Sequence, residues 1–529
     1  MTEDSRGDKP ARRRLTVVAG TSYFEPPPPD RGEDSRCTVM LSRGRIDQSA
    51  DDAAVGVFAD GSPYYQRGES LVRLVQGASA EKLRRTSDAP LLVAASKSML
   101  LDDLERSCRF ISRSASPDTG ETRTRIVGCP KDLPGVMLAR AGRLGCPSIR
   151  GISEVPLLHA DGTVVTDGYD PRAGVVVVAP GTWPIVPDSP TEDQARQALG
   201  RIDAVIAGFP FVSDDDRAVT LAALLSAVLR PTLPSCPAFA WSAPVRGSGK
   251  SKLADVAAVI ATGRTAPALT WPPQEDEAEK RLGASVMAGD AVILLDNIET
   301  ALRGACLNSL LTQPTISIRV LGRSQMVRLG AAVLVLATGN NLVLHGDLSR
   351  RFLLAHLDPH TERPELRRFS FDPVAKALAE RVELVTALHT IARWGQGKAS
   401  GLAPLGSFEA WSLRVRDPLV ALGLPDCCRV LDELHKADPE RESAIEVLSE
   451  WRGAFGPEPT TVAQAIRKAM NDPILRDALD GVAGNAGGIN AKCSDKISMA
   501  SSTALLPALL GPIKNVSLLN GTCVGLSKT

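Results

Sequence analysis

A short apolar run, a glycine-rich turn and an amphipathic helix follow one another in residues 238–262 (AFAWSAPVRGSGKSKLADVAAVIAT). Glycines let backbone N–H groups curve around a phosphate without a Cβ clash, and the start of the helix adds partial positive charge. Pro244 stands where the usual motif has its first glycine, but the strand–turn–helix order still predicts a phosphate-binding loop. The residues predicted to bind the nucleotide are Arg246, Gly247, Ser248, Gly249, Lys250 and Ser251.

A carboxylate ends the next strongly apolar run. Residues 291–296 (AVILLD) finish at Asp296, which lies 46 positions after Lys250. A second acid on a neighbouring strand helps to hold Mg²⁺ beside a phosphate loop, so Ser251 and Asp296 are the predicted metal ligands. Asn297 follows, and an amide can orient an attacking water but cannot take its proton. The carboxylate that would do so is left open among Glu299, Glu275, Glu277 and Glu279.

Polar groups also follow the apolar run at 331–341 (AAVLVLATGNN). An amide at the tip of a central strand, such as Asn340, would contact the γ-phosphate or the attacking water, although an ordinary Gly-Asn turn is the alternative. Ten residues later, Arg350 and Arg351 precede another apolar strand. An arginine there would stabilise transition-state charge, or the two would form a solvated surface pair. The predicted catalytic residues are Lys250, Asp296, Asn297, Asn340, Arg350 and Arg351.

Short apolar runs alternate with helical patterns across this part of the chain, which predicts a mostly parallel sheet covered on both faces. The fold class is therefore α/β. The predicted strands are 238–243, 291–295, 315–320, 325–329, 331–337 and 352–357. Further predictions are helices at 101–112, 216–230 and 373–396, a strand–turn–strand at 154–166 and a strand at 174–179. Asp214, Asp215 and Asp216 before the long helix suggest an N-cap that complements the helix dipole, with a metal site as the alternative.

Composition and pattern divide the chain into five segments. The last arginine is Arg476, and the tail after it has none although the chain is rich in arginine. We predict a disordered arm at 1–64, an α/β accessory domain at 65–213, a P-loop core at 214–370, a helical region at 371–480 and a divergent, poorly ordered tail at 481–529.

The overall charge excludes a globally basic nucleic-acid binder. The 529 residues carry 61 basic and 61 acidic side chains, so contact with nucleic acid would come from a local patch. The 10 cysteines include no CxxC pair and suit a reducing, cytoplasmic setting. Apolar runs such as 331–337 are far shorter than the ~20 residues that cross a bilayer, so we expect no membrane association.

Taken in order, the motifs RGSGKS (246–251), LLDN (294–297), ATGNN (337–341) and DLSRR (347–351) resemble those of AAA+ and superfamily 3 helicases. The stretches at 150–170, 319–327 and 406–415 add a resemblance to the DNA primase/helicase-type ATPases of phages, prophages and integrated mobile elements. The resemblance covers roughly residues 65 to 480. It implies a homo-hexameric ring that uses ATP and Mg²⁺ to move along single-stranded DNA.

The same resemblance assigns DNA contact to a hairpin at 315–329, whose cations are Arg319, Arg323 and Arg328. No spaced pair of carboxylates suggests primase chemistry in the first 210 residues, so a primase or polymerase is expected as a partner. The predicted function is an ATP-dependent DNA helicase or translocase that replicates a phage or mobile element. The alternatives are an AAA+ protein remodeller or loader, and a DNA-binding initiator with slow turnover.

Overall fold

The computed structural model describes residues 36–59, 61–76, 89–115, 122–319, 326–361, 363–364, 370–436, 439–456, 460–483, 518–519 and 522–523. These residues form two compact units. The first unit is built from described residues within 1–299, 304–341 and 355–427, and the second from those within 300–303, 342–354 and 428–529. The predicted boundaries at 213 and 370 stay predictions.

The N-terminal part of the first unit is a mixed α/β arrangement. Its elements are β1 (Cys37–Leu41), α1 (Ile46–Val57), β2 (Tyr64–Arg67), β3 (Ser70–Val75), β4 (Leu91–Ala94), α2 (Lys97–Ser107), β5 (Cys108–Ala115), β6 (Thr122–Val127) and α3 (Leu133–Ala139). One sheet has the order β1-β5-β6 and another the order β2-β3-β4. Val39, Leu100, Leu104 and Phe110 are buried together between the first sheet and its helices.

Two predictions for this region are wrong. The disordered arm predicted for 1–64 contains β1 and α1, whose buried side consists of small residues such as Ala50, Ala53 and Ala54. Alanine buries little surface, so the segment lacks a strong apolar pattern. The helix predicted for 101–112 ends at Ser107, and the chain continues as β5, which pairs in parallel with β1. Strand pairing therefore overrides helical spacing there. Residues 1–35 lie outside the described part.

Short strands follow, and they confirm the strand–turn–strand predicted at 154–166 and the strand predicted at 174–179. The elements are β7 (Gly151–Ser153), β8 (Leu157–Leu158), β9 (Val164–Val165), β10 (Gly168–Asp170), β11 (Val175–Val177), α4 (Glu192–Ile206) and α5 (Asp214–Leu229). β8 and β9 pair antiparallel, while β10, β11 and β7 form a separate sheet.

The start of α5 differs from the prediction in its capping residue. Ser213, not an aspartate, is the N-cap, and its hydroxyl oxygen accepts a hydrogen bond from the Asp216 N–H. The three aspartates occupy the first turn, where negative charge complements the helix dipole. The buried Asp216 carboxylate accepts hydrogen bonds from the Ser213 hydroxyl (2.6 Å) and the His356 N–H (2.7 Å). These contacts give Asp216 a structural role at the edge of the core.

The core is a five-stranded sheet of order β13-β14-β17-β12-β18, in which β13, β14, β17 and β12 pair in parallel. All six residues of β12 are buried, as expected for a central strand. The elements are β12 (Ala238–Ala243), α6 (Lys250–Thr262), β13 (Ala268–Leu269), α7 (Glu275–Ala288), β14 (Val292–Ile298), α8 (Ala305–Thr312), β15 (Ile316–Arg319), β16 (Met326–Leu329), β17 (Leu334–Asn340) and β18 (Phe352–His356). The predicted strands are thus present, with shifted ends, and β13 is an addition.

Helices follow the sheet, as predicted for 371–480. They are α9 (Pro373–Ala379), α10 (Arg381–Trp394), α11 (Glu409–Trp411), α12 (Asp417–Ala421), α13 (Val430–Lys436), α14 (Pro439–Phe455), α15 (Val462–Ala469) and α16 (Pro473–Ala483). A π-turn (Ser412–Arg416), three 3-10 turns (Arg230–Thr232, Gly346–Arg350, Cys427–Arg429) and strands β19 (Thr460–Thr461), β20 (Leu518–Leu519) and β21 (Thr522–Cys523) complete the described elements.

Each unit has its own packing in this region. In the first unit, the Trp411 indole N–H donates to the Ser226 hydroxyl (2.8 Å), and its ring lies 6.3 Å from that of Phe239 in β12. In the second unit, Val447, Leu475 and Leu479 are buried together. No described helix has both the length and the apolar character needed to span a membrane. The tail predicted at 481–529 lies almost wholly outside the described residues.

Candidate active site

The glycine-rich turn joins β12 to α6 as the sequence predicts. Gly247 and Gly249 both have positive φ angles (77° and 101°), a region that residues with a Cβ rarely adopt. A Cβ at Gly249 would also lie 3.0 Å from the ring of Phe209. Glycine at 249 is therefore required by the backbone conformation and by the space beside it, and α6 begins directly after it.

Lys250 is folded into the turn with its ammonium group held by three oxygens. Its Nζ donates to the Asn340 side-chain oxygen (2.8 Å), the Val245 carbonyl (3.1 Å) and the Ser248 hydroxyl (3.1 Å). The residue is only 9% exposed, and burial lowers the pKa of its amine. The structure thus brings together two of the predicted catalytic residues, Lys250 and Asn340, at the phosphate loop.

A second set of contacts surrounds Asp296. One oxygen of its carboxylate accepts hydrogen bonds from the Ser251 hydroxyl (3.0 Å) and the Thr338 hydroxyl (2.5 Å). Thr338 is almost fully buried, and its oxygen also accepts from the Asn297 N–H (3.1 Å). Hydroxyl and carboxylate oxygens are the ligands that Mg²⁺ prefers, so this pair of predicted metal ligands fits the ion.

Strand register explains why these side chains meet. Ala243 at the end of β12 is paired with Asn340 at the end of β17, and Leu295 of β14 is paired with Ala337. The carboxyl ends of the three parallel strands therefore lie at one edge of the sheet, the usual ligand position in α/β folds. An irregularity in β14 between Leu295 and Ile298 interrupts the pairing where Asp296 lies.

The same irregularity gives a physical reason for asparagine at 297. Its φ is 53°, in the left-handed region, where asparagine is several-fold enriched over most other residues. Glutamate in that conformation would cost about 1–2 kcal/mol. The backbone thus favours asparagine at the place where a catalytic glutamate was expected.

One of the open carboxylates lies beside Asn297. The Asn297 amide donates to the Glu299 carboxylate (3.1 Å), which also pairs with the Arg246 guanidinium (3.2 Å). Glu275 instead accepts from the Ala305 N–H (2.7 Å), and Glu277 pairs with Arg281 on its own helix. Glu299 is therefore the candidate that these contacts join to the site.

The arginine pair lies in the second unit, where both side chains bind the Asp347 carboxylate. They differ in exposure: the Arg350 side chain is 61% exposed, whereas that of Arg351 is 14% exposed. Arg350 is consequently the member of the pair that can be released to another anion at lower cost.

The predicted hairpin is confirmed in its strands. β15 and β16 pair antiparallel, with Ser317 opposite Arg328, whose side chain is exposed. Arg319 ends β15, and Arg323 lies outside the described residues. Two glycines lie against the hairpin: a Cβ at Gly68 would overlap the Arg328 carbonyl, and a Cβ at Gly283 would overlap Ile318. The base of the hairpin is thus tightly packed.

Sequence reasoning missed two residues of this site. Thr338 was noted only as part of a strand end, and a buried threonine in a strand has no distinguishing pattern. Asp255 lies on α6 one turn after Ser251. Burial, and next the negative charge of Asp296, raise the pKa of Asp255 to about 6. Its spacing of four residues from Ser251 was the signal available.

No family model and no curated protein matches the chain. Among solved structures, the A-form apo C-terminal region of NrS-1 is similar at 11% identity over 79% of this chain and 97% of that one, with a TM-score of 0.33. The SCCmec type IV Cch active helicase is similar at 13% identity over 74% and 83%, with a TM-score of 0.28. JCV helicase is similar at 14% identity over 44% and 65%, with a TM-score of 0.19. We base no functional conclusion on similarities this weak.

Proposed function

We propose that this chain is an ATP-dependent DNA helicase or translocase of the AAA+ and superfamily 3 type. The observation that carries the proposal is the pair of contacts at the strand edge, Lys250 with Asn340 and Ser251 with Asp296. They combine a cation and an amide at a glycine-rich turn with a hydroxyl and a carboxylate suited to Mg²⁺. That combination suits binding and hydrolysis of ATP.

In this proposal, Lys250 exchanges its contacts with Asn340, Val245 and Ser248 for oxygens of the β- and γ-phosphates. N–H groups of 246–251 and the start of α6 hold the remaining phosphate oxygens. Bound Mg²⁺ would neutralise phosphate charge. Thr338 orients the Asp296 carboxylate, and the Asn340 amide, once released by Lys250, is free to orient a water.

Glu299 is our choice for the group that prepares the attacking water. Its carboxylate already contacts the Asn297 amide, and its partner Arg246 is 80% exposed, so that ion pair stabilises little and exchanges readily. Breaking the ion pair when nucleotide binds would free Glu299 to accept a proton, while Asn297 keeps it in place.

The remaining parts of the proposal concern DNA and assembly. Arg319, Arg323 and Arg328 of the hairpin would contact single-stranded DNA, one hairpin from each subunit of a homo-hexamer. A primase or polymerase would act beside it during replication of a phage or mobile element. The eight cysteines of the described residues are free thiols, which suits the cytoplasm as its location.

ATP hydrolysis with and without single-stranded DNA tests the function. We expect clear hydrolysis that single-stranded DNA increases at least about tenfold, since translocases couple turnover to their track. Arg328→Ala should reduce the stimulation and leave hydrolysis without DNA unchanged. Hydrolysis that ignores DNA would contradict the proposal and favour a remodeller, whereas slow turnover under both conditions would favour an initiator.

Arg350 is proposed to act on the nucleotide of a neighbouring subunit. We expect Arg350→Ala to lower turnover by about 10³–10⁵-fold, the usual contribution of an arginine finger. Mixing Arg350→Ala protein with Lys250→Ala protein should restore activity, because an intact loop then meets an intact arginine. In a random equal mixture about one interface in four has both, so recovery approaches a quarter of the wild-type rate.

The control for this experiment is Arg106→Ala, which removes an arginine of similar exposure (59%) that also pairs with an aspartate on its own helix. It should keep full activity. If mixed rings form and exchange subunits but remain inactive, action in trans is refuted.

A further inference from the structure

A cavity of about 350 Å³ lies in the first unit, lined by residues away from the glycine-rich turn. Helix α10 contributes Thr386, His389 and Arg393 to it, the β8–β9 turn contributes residues 162–164, and the loop 183–188 contributes another wall. Its volume is at the small end of the range of roughly 300–1,000 Å³ for small-molecule sites.

Arg393 holds the walls of this cavity together. Its guanidinium donates to the Val186 carbonyl (2.8 Å) and the Gly162 carbonyl (2.7 Å) and pairs with the Asp188 carboxylate (2.9 Å). The two walls are thus attached to α10 through one side chain. Because the charge of Arg393 is already matched by Asp188, the cavity has no strong preference for an anion or a cation.

The apolar lining is concentrated in the loop 183–188. The Trp183 indole N–H already donates to the Ala179 carbonyl (3.1 Å), and the Arg381 guanidinium lies 5.5 Å from the centre of its ring. The ring is therefore fixed and presents aromatic surface rather than a donor. Ile185 beside it is 94% exposed, an unusual position for a large apolar side chain and one that extends the apolar surface to the rim.

His389 supplies the polar group that remains. The residue is 2% exposed, and its Nε2 atom is buried with no hydrogen-bond partner in the described part of the chain. Burial, and then the charges of Arg414 and Arg393, lower the pKa of His389 to about 4, so the imidazole is neutral at pH 7. A buried polar atom without a partner costs free energy, which a ligand with a complementary group would recover.

We infer that this cavity is a binding site for an uncharged aromatic ring that carries a hydroxyl group. The ring would pack beside Trp183 and Val186, and the hydroxyl would bond to His389 Nε2. A hydroxyl suits this nitrogen in either imidazole tautomer, because it can both donate and accept. The ring belongs either to a free phenolic compound or to a tyrosine side chain of a peptide, and the two sources share this chemistry.

Binding of p-cresol and toluene compares ligands that differ only in the hydroxyl group. We expect wild-type protein to bind p-cresol at least about fivefold more tightly than toluene, as measured by ligand-observed NMR titration. His389→Leu should bring the two affinities close together, whereas His360→Leu, which removes an 84% exposed histidine, should leave the difference unchanged. N-acetyl-tyrosinamide distinguishes the sources: it binds if the site accepts a peptide, and is excluded if the site takes only free phenols.

Ile185→Asp provides a test that does not disturb the buried core. A carboxylate at this exposed rim should weaken p-cresol binding severalfold without changing thermal stability. Equal affinity of the wild-type protein for both probes, an unchanged preference in His389→Leu, or an unaffected p-cresol affinity in Ile185→Asp would each overturn the inference. So would the absence of saturable binding up to the solubility limit of p-cresol.

Discussion

We expect Lys250→Ala to abolish ATP hydrolysis, with a fall in turnover of at least about 10²–10³-fold, the cost of losing one main charge-stabilising donor. The ammonium group already lies at the turn, held by Asn340, Val245 and Ser248, so little reorganisation precedes phosphate binding. Without it, the phosphates would retain only backbone N–H donors and Mg²⁺. Nucleotide affinity, measured by equilibrium binding of a fluorescent ATP analogue, should therefore also fall sharply.

The control for this prediction is Lys252→Ala, on the same helix two residues later. Lys252 pairs with Asp372 at 2.7 Å, and both side chains are about half exposed (51% and 50%). Such surface pairs contribute about 0–1 kcal/mol to stability, so this variant should hydrolyse ATP at nearly the wild-type rate. Normal turnover in Lys250→Ala alongside normal turnover in Lys252→Ala would refute the assignment of the phosphate loop.

The sequence predicted the central sheet well because its strands are strongly apolar and end in polar residues. β12, β14 and β17 were each found within about three residues of their observed ends. The N-terminal region was harder to predict. The buried side of α1 is mostly alanine, and α2 runs directly into β5 without a break in its polar–apolar spacing. Both errors have one physical cause: tertiary pairing decides the structure where local preference is weak.

Within the candidate site, residues with distinctive chemistry were predicted and residues that only orient others were not. Lys250, Ser251, Asp296 and Asn340 follow from motif spacing, and the structure places them at one edge of the sheet. Thr338 could not be identified, because its role depends on the register of β17 against β14 and on the irregularity at Asp296. The left-handed conformation of Asn297 likewise exists only once β14 departs from regular pairing.

Asp296→Asn should separate nucleotide binding from turnover. The amide keeps the shape of the side chain and can still accept a hydrogen bond from Thr338, but it lacks the negative charge that attracts Mg²⁺. We expect binding of the ATP analogue without Mg²⁺ to change by no more than about threefold. Hydrolysis in the presence of Mg²⁺ should fall by at least about 10²-fold, because charge on the transferring phosphate is then poorly neutralised.

Thr338→Val tests whether that carboxylate must also be oriented. Valine has nearly the shape of threonine but leaves Asp296 without its shortest hydrogen bond (2.5 Å) and the Asn297 N–H without its acceptor. Turnover should fall by about tenfold, less than in Asp296→Asn, and the Mg²⁺ concentration for half-maximal activity should rise, since outer partners of metal ligands typically contribute 10–100-fold. Full Mg²⁺-dependent turnover in Asp296→Asn would show that another carboxylate holds the ion. Asp255 on α6 is then the first to test, because it is close enough to Asp296 for the two charges to raise its pKa.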